Sequence, residues 1–455
     1  MIYTVYLFIF IMIGEAMIPN LSSVGASATL RTVTTNRFKS GLLSVSSALP
    51  ITPKTACIAP LLLSVLRRGT EKYPTLAHIN RRLEYLWGTG FSVRCFYRGN
   101  YQILGFSAEL LDSAYLPADT EDLTDAALEL LGEILFHPVL DADGLLSEKY
   151  VESEKALQCD AIRAAKNNPR GYAMEQCRAI LYDGEPCGAL QYGTEAETEA
   201  ITREELTDFW RTWIKGWSPD CFYVGPADPA LLKEKLERAF GARIALEKAP
   251  LPRGLGEARE GRGLLAREEL PVSQSQLVIG LRCNTTLNDA DYFATAVMNE
   301  MLGVSPISKL FMNVREKLSL CYSCSSLYNA FMGTLLISCG IRRENREQAE
   351  QAILREIRAI AEGDFREQEL EAAKKSLDNA YDQLKDSPGG LENFFYGRAL
   401  VGNCLSPEDC RAGFCTVQAE DVSRVARAMT VDVTYFLEGT QAGEGELDED
   451  DGEEI

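Results

Sequence analysis

Apolar positions recur at helical spacing between residues 305 and 318, and this is the clearest single element in the sequence. The spacing of i, i+3, i+4, i+7 and i+11 predicts one apolar stripe along an amphipathic helix. Ser305 can cap the start of this helix, and Pro306 suits its first turn. The stripe consists of Ile307, Leu310, Phe311, Val314 and Leu318.

Two side chains that can bind a ligand lie where this helix is predicted to end. Arg315 lies off the apolar stripe, and Tyr322 follows seven residues later, where the pattern changes towards that of a strand. A cation and a phenol at such a helix-to-strand corner can point into one groove. The alternative is an ordinary surface arginine and a half-buried tyrosine with no binding role.

The order of predicted elements occurs twice along the chain, which indicates an internal duplication. Asn168-Pro169 stops the last long helix of the first set, and Thr202 and Glu205 form a capping box for the helix that follows it. The first set is strand 38–49, helices 56–66 and 75–86, hairpin 91–110 turning at 98–100, helices 123–135 and 145–165, and strand 221–225. The second set is strand 276–283, helix 292–302, strand 334–341, helices 344–361 and 367–384, and strand 431–439.

This repetition predicts an α+β fold of two similar halves, each an antiparallel-rich sheet with helices packed on one face. A functional cleft is expected between the halves, as in a hinged pair. The predicted boundaries are an N-terminal extension at 1–28, a first domain at 29–248, a linker rich in Pro, Gly and alternating charges at 249–270, a second domain at 271–440, and an acidic disordered tail at 441–455.

Composition narrows the class of protein and its partners. The chain has 455 residues and a formal charge of −20, which argues against nucleic acid as the main partner. The thirteen cysteines are odd in number and scattered, so a reducing cytoplasm is the simpler compartment. Cys321 and Cys324 have the spacing of a redox motif, but on a strand positions i and i+3 face opposite sides, so we interpret them as buried thiols.

The N-terminal run 2–14 is apolar but is too short for a confident membrane span, and no Lys or Arg precedes Arg31. Two interpretations stay open. Either the start codon is wrongly assigned and Met17 is the true start, or the run is a weak export signal that ends near residues 26–28. The cysteine usage favours the first, and with it a cytoplasmic protein without a membrane span.

The duplicated halves, the stretch VREKLSLCYS in the second half and the stretch TREELTDFW with a VGPAD turn in the first resemble the insulinase/pitrilysin metallopeptidases, also called inverzincins. Within that family the chain is similar to bacterial members associated with modification of elongation factor P. The resemblance implies that Arg315 and Tyr322 hydrogen-bond a substrate carbonyl and face a zinc ion held by the opposite half.

The zinc motif that this resemblance implies is missing. The family carries H-x-x-E-H on a helix that runs into a Gly-Thr turn, and here Gly69-Thr70 places Pro60 and Ser64 at the two histidine positions and Leu63 at the base position. The third ligand, counted from Glu154, falls on Ala161, and a register shift to Asp160 does not restore the set.

The number and spacing of the histidines also exclude an H-x-x-E-H zinc motif, and this argument does not depend on the resemblance to the family. The chain has two histidines, His78 and His137, and neither has a second histidine one helical turn away. Both are better explained as capping or hydrogen-bonded histidines. Cys159 and Asp160 do not form a metal pair, because adjacent residues of a helix do not share a face.

We therefore expect a non-catalytic protein that binds neither a metal nor another cofactor of its own. The first hypothesis is a companion subunit of a zinc-bearing sister peptidase, which supplies the Arg315 and Tyr322 side of a shared chamber for a peptide or protein substrate. The second is a peptide-binding scaffold or chaperone-like protein without any proteolytic role. A third, an independent enzyme with other chemistry, has no residue that supports it.

Overall fold

The computed structural model describes residues 18–441. The apolar run 2–14, the candidate start at Met17 and residues 442–455 of the acidic tail lie outside the described residues. Among residues 18–441, no helix combines the length and the apolar character needed to cross a membrane.

Residues 18–441 form two sheets of related topology. The first sheet has the spatial order β1-β2-β6-β3-β5-β4 and the second has the order β7-β11-β8-β10-β9. The strands of the first sheet are β1 (Asn20–Val24), β2 (Ala28–Thr34), β3 (Ser40–Pro50), β4 (Gly90–Arg98), β5 (Tyr101–Leu111) and β6 (Asp220–Gly225). Those of the second are β7 (Leu264–Leu270), β8 (Ser275–Arg282), β9 (Cys321–Asn329), β10 (Thr334–Ile341) and β11 (Thr430–Gly439).

The α-helices of the first half are α1 (Pro53–Leu66), α2 (Leu76–Tyr85), α3 (Leu123–Phe136), α4 (Glu148–Ala164), α5 (Pro169–Leu181), α6 (Glu195–Ala200), α7 (Arg203–Lys215) and α8 (Pro229–Phe240). Those of the second half are α9 (Tyr292–Asn299), α10 (Arg346–Glu362), α11 (Glu367–Asp382), α12 (Pro388–Leu400), α13 (Pro407–Thr416) and α14 (Ala419–Arg427). Two π-helical segments, Glu300–Val304 and Leu310–Lys317, follow α9.

The α+β fold of two similar halves is confirmed, and the repeat is more complete than the sequence indicates. Apart from β1, each strand of the first sheet has a counterpart at the same place in the second. β7 is the counterpart of β2, and both run parallel to the last strand of their half. The predicted linker 249–270 is therefore wrong at its end, because Leu264–Leu270 is a strand.

β1 also lies outside the predicted domain. It pairs antiparallel with β2, so the first sheet begins before the predicted boundary at residue 29. Its side chains are mostly exposed, which leaves little hydrophobic pattern from which a strand can be predicted.

Cap and turn residues explain most of the helix and strand boundaries. The capping box of Thr202 and Glu205 is present at the start of α7. The hairpin of β4 and β5 turns at Gly99, whose φ of +57° suits glycine. The interpretation of Asn168-Pro169 as a stop is incomplete, because Asn168 caps α5 and Pro169 is its first residue.

The two halves exchange a helix, so they are not simply hinged. Helices of the first half cover one face of its own sheet, and α12 of the second half covers the other face. Reciprocally, α5 of the first half packs on β8 and β11 of the second sheet. Each sheet is thus buried on both sides by contributions from both halves.

Buried charges reinforce this exchange. Glu392 on α12 is 2% exposed and accepts hydrogen bonds from Arg94 at 2.8 Å and from Ser44 at 2.9 Å, both on the first sheet. Arg282 on β8 is also 2% exposed and pairs with Asp432 of its own half at 2.6 Å and with Glu185 of the first half at 2.9 Å. Such pairs fix the relative position of the halves because a displaced partner leaves a buried charge unpaired.

Candidate functional site

The segment that carries Arg315 starts later than the sequence predicts and is wound differently. The helix runs from Leu310 to Lys317, and the N–H of Leu318 bonds the carbonyl of Asn313, five residues back, at 3.1 Å. This wider winding changes which residues share a face. Leu310 and Val314 are buried, but Ile307 is 50% and Leu318 is 43% exposed, so the single predicted stripe is wrong at both ends.

Arg315 is held loosely on this helix. Its side chain is 42% exposed, and its Nε lies 3.6 Å from a carboxylate oxygen of the adjacent Glu316. Its guanidinium carbon lies 4.7 Å from the centroid of the Phe311 ring. The stack orients the guanidinium while leaving its donors available to another molecule.

Tyr322 is placed by the turn between this helix and β9. Ser319 adopts a left-handed conformation with φ +51°, and the chain then enters β9 at Cys321. The Tyr322 side chain is 62% exposed, and within residues 18–441 its hydroxyl has no hydrogen-bond partner. The predicted helix-to-strand corner with two exposed polar side chains is therefore present.

The surface around the pair is apolar and includes an open strand edge. β9 is the outer strand of the second sheet, so the backbone groups on its free side are available to an added strand. Residues on this segment that expose large apolar side chains are Val304, Ile307, Met312, Leu318 and Leu327.

The positions that the resemblance assigns to the zinc ligands and the base lie in the other half. Pro60 and Leu63 are buried in α1, and Ser64 is half-buried beside them. Ala161 is exposed on α4, which packs against α1. These four side chains offer a single hydroxyl between them, which is not the nitrogen and carboxylate set that an inverzincin needs.

Neighbouring polar groups of α4 do not replace the missing ligands. Glu154 is buried and forms an ion pair with Arg68. Gln158 donates to the carbonyl of Cys57 at 3.1 Å and to the Thr198 hydroxyl at 3.1 Å. Both side chains are thus used to hold α4 against the rest of the first half.

The two histidines are not among these positions and have structural partners. His78 lies at the start of α2, where its Nδ1 is 2.8 Å from the hydroxyl of the capping Thr75. His137 ends α3, and its Nδ1 lies 3.9 Å from Glu71. The structural interpretation of both histidines agrees with these contacts.

A cavity of about 420 Å³ lies between the halves, where the sequence predicts a cleft. Neither Arg315 nor Tyr322 lines it. Two of its arginines are already engaged within the chain, since Arg398 donates to Tyr292 at 2.8 Å and Arg178 pairs with Glu175 at 2.6 Å. We therefore assign the candidate binding surface to the Arg315 segment and β9.

A cluster of three cysteine side chains lies beside this surface, and the spacing of Cys321 and Cys324 alone does not predict it. The sulfur atoms of Cys321, Cys324 and Cys339 all lie within 4.8 Å of one another. Cys324 is opposite Cys339 in the β9–β10 pairing, and the register then shifts between Gly340 and Ile341. This bulge turns Cys321 to the side of Cys324, so the expectation that the two face opposite sides is wrong.

The cluster favours ionisation of one thiol. The pKa of Cys321 is lowered because the Cys324 and Cys339 thiols donate hydrogen bonds to its sulfur and because the positive charge of Arg315 is nearby. The pKa of Cys324 is raised, chiefly because its thiol donates to Cys321. These contacts favour the thiolate form of Cys321, next to the cation of Arg315.

This arrangement predicts that the Cys321 thiol ionises at a lower pH than an ordinary cysteine thiol. In reduced, metal-free protein, its alkylation by iodoacetamide should reach half its maximal rate below about pH 8.5, the usual midpoint for a cysteine thiol. Arg315→Gln should move that midpoint upward, because removing the cation destabilises the thiolate. Peptide mass spectrometry across a pH series gives the midpoint, and a wild-type value at or above the usual one would contradict the assignment.

Comparison with known proteins identifies the family. A model described as "Peptidase M16 inactive domain" matches residues 200–377. The "Probable inactive metalloprotease YmfF" of Bacillus subtilis is 30% identical over 421 residues, which cover 92% of this chain and 98% of that protein. The chain belongs to the M16 peptidase family. The resemblance to the insulinase/pitrilysin metallopeptidases is thereby confirmed, and the chain is a non-catalytic member.

Two further relatives extend the comparison. The "Uncharacterized zinc protease YmxG" of Bacillus subtilis is 23% identical over 316 residues, covering 67% of this chain and 73% of that protein. The crystal structure of a conserved protein from Enterococcus faecalis superimposes with a TM-score of 0.85 at 25% identity, covering 94% of this chain and 100% of that one. The fold of this chain is therefore shared with a solved structure over nearly its whole length.

Proposed function

We propose that this chain is the companion subunit of a zinc-bearing M16 peptidase and supplies the peptide-binding side of a shared chamber through Arg315 and Tyr322. The observation that carries this proposal is that both side chains are exposed. The Tyr322 hydroxyl has no hydrogen-bond partner within residues 18–441, and Arg315 contacts only the exposed Glu316 carboxylate, at 3.6 Å, and the Phe311 ring among neighbours on its own helix. Arg282 differs from Arg315 in this respect. It is a structural arginine, buried between the carboxylates of Glu185 and Asp432.

The surroundings of the pair suit an extended peptide. The free edge of β9 can hydrogen-bond a peptide backbone as an additional strand, and the exposed apolar side chains of the segment can contact alternate peptide side chains. Arg315 would then donate a charge-assisted hydrogen bond to the carbonyl oxygen on which negative charge develops during hydrolysis. Tyr322 would hold the same carbonyl in place.

The zinc ion and its general base would come from the partner, because Pro60, Leu63, Ser64 and Ala161 cannot supply them. One organism that carries both kinds of relative is Bacillus subtilis, with a probable inactive metalloprotease and an uncharacterized zinc protease. We place both subunits in the cytoplasm, consistent with the thirteen free cysteines of this chain. The association with elongation factor P modification stays a prediction.

Reconstitution of the complex tests this function. The partner should co-purify and, once separated from this chain, should hold one zinc ion. Arg315→Ala should lower kcat for peptide cleavage about 10²–10³-fold, the usual effect of losing one donor to a developing oxyanion. Arg315→Lys should recover part of the rate, and Tyr322→Phe should lower it by less. Peptide turnover by the complex and the zinc content of the separated partner subunit are the measurements.

The control is Arg358→Ala, which removes an exposed arginine from α10. This variant should retain full activity, and all variants should retain the complex by gel filtration. Unchanged turnover in Arg315→Ala would contradict the proposal. An oligomer or monomer of this chain that has no zinc-bearing partner and binds peptides without any cleavage would instead support the scaffold function.

A further inference from the structure

We propose that Cys321, Cys324 and Cys339 form a three-thiolate site for a soft divalent cation such as Zn²⁺, separate from the zinc position of the family. Among residues 18–441, this is the one group of three or more Cys, His, Asp or Glu side chains whose ligand atoms lie within 4.8 Å of one another. It lies in the second half of the chain, whereas the degenerate zinc motif lies in the first.

The distances suit a metal with little rearrangement. Zn–S bonds of about 2.3 Å place the sulfurs of a tetrahedral site about 3.8 Å apart. The three sulfurs are already within 4.8 Å, so small side-chain rotations can bring them to that spacing. Thiolates also select soft cations over Mg²⁺ or Ca²⁺.

Two of the three ligands are held by a packed sheet. Cys324 is 6% exposed and Cys339 is fully buried in the core of the second half. They are direct cross-strand partners on β9 and β10, so the ladder fixes their separation. A site with two ligands on rigid strands loses little conformational entropy when a metal binds.

The third ligand opens the site to solvent. Cys321 is half-buried at the first residue of β9. A metal bound there would keep a fourth position on the solvent side, which water can fill. Entry of the cation would follow the same path.

Nearby positive charge balances the site. Three thiolates with one divalent cation leave a net charge of −1. Arg315 lies near Cys321, and Arg170 reaches β9 from the first half with a hydrogen bond to Ser325 at 2.8 Å. Because β9 is an edge strand, the bound metal would also anchor it next to Tyr322.

Cobalt titration of the full-length reduced chain tests the site, with Co²⁺ as a spectroscopic substitute for Zn²⁺. We expect one equivalent of Co²⁺ to give an intense sulfur-to-cobalt charge-transfer band, and one equivalent of Zn²⁺ to remove it. Zn²⁺ should also protect Cys321 from iodoacetamide in the wild-type protein, a readout that does not depend on the folding of any variant.

Cysteine-to-serine variants show which thiols bind the metal. Cys321→Ser and Cys324→Ser should each lose stoichiometric binding, whereas Cys404→Ser combined with Cys415→Ser, which alters two exposed thiols, should retain it. The proposal is overturned if no charge-transfer band forms, if the band survives Cys324→Ser, or if the isolated chain holds a disulfide within the trio. These outcomes are independent of peptidase activity, so this inference and the proposed function can fail separately.

Discussion

Replacement of Arg282 by methionine should lower the free energy of unfolding by about 3–5 kcal/mol, the usual cost of removing one partner from a buried ion pair. The side chains of Arg282, Asp432 and Glu185 are 2%, 1% and 5% exposed. Arg282 also donates to the carbonyl of Leu181 at the end of α5. Its loss would leave carboxylates and a carbonyl without their main donor where water cannot replace it.

The lower end of that range is expected, because the carboxylates keep secondary partners. Asp432 retains Arg262 at 2.6 Å, and Glu185 retains Arg259 at 3.7 Å. Urea unfolding followed by far-ultraviolet circular dichroism would measure the loss. Adding Glu185→Met to Arg282→Met should recover part of the stability, since it removes a charge left in an apolar environment.

An exposed ion pair provides the control. Arg424 and Asp291 are 2.5 Å apart, but their side chains are 50% and 41% exposed. Arg424→Met should therefore change stability by at most about 1 kcal/mol. Equal losses of stability in Arg282→Met and Arg424→Met would mean that the burial of Arg282 between the halves adds nothing to the free energy of unfolding.

The sequence predicts elements whose signals are local. The strand at 334–341 and the start of the helix at 367 match the structure to the residue. Strand alternation and cap residues are short-range properties, so they can be recognised without knowing the tertiary fold. The duplication follows from the same signals, because it needs only the order of elements.

The helix exchange could not be predicted in this way. α5 and α12 each begin with a cap residue followed by proline, at Asn168-Pro169 and Ser387-Pro388. That pattern predicts where a helix begins but not which sheet it covers. The choice of sheet depends on long-range packing, which leaves no periodic signal in a single sequence.

The candidate site was predictable in part for similar reasons. The assignments of Arg315 and Tyr322, and of Pro60, Ser64 and Ala161 as positions without zinc ligands, come from resemblance to a family motif and stay predictions. The cysteine cluster depends on a bulge between Gly340 and Ile341. A one-residue change of strand register reverses the direction of every side chain beyond it, so spacing alone gave the wrong face for Cys321.

Leu391→Ala should destabilise both halves of the molecule together, by about 2–5 kcal/mol. Leu391 lies on α12 and is fully buried in one apolar cluster with Phe222 and Val224 of the first sheet. Alanine would leave a cavity between a helix of the second half and a sheet of the first. Because each half buries a helix of the other, neither is expected to unfold alone.

The positions of the tryptophans allow the response of the first half to be measured separately. All four, Trp87, Trp210, Trp213 and Trp217, lie in the first half, whereas the substitution lies in the second. Urea transitions followed by tryptophan fluorescence and by circular dichroism should shift to the same lower midpoint. Leu157→Ala on α4, where the side chain is 49% exposed, should change stability by at most about 0.5 kcal/mol.

A fluorescence midpoint that does not move in Leu391→Ala would contradict the helix exchange, because the first half would then be stable without α12. Coincident shifts would mean that the halves form one cooperative unit. In that case a single rigid body would present the surface of Arg315, Tyr322 and β9 to the proposed partner. Movement between subunits, rather than hinge motion within this chain, would then admit a peptide to the shared chamber.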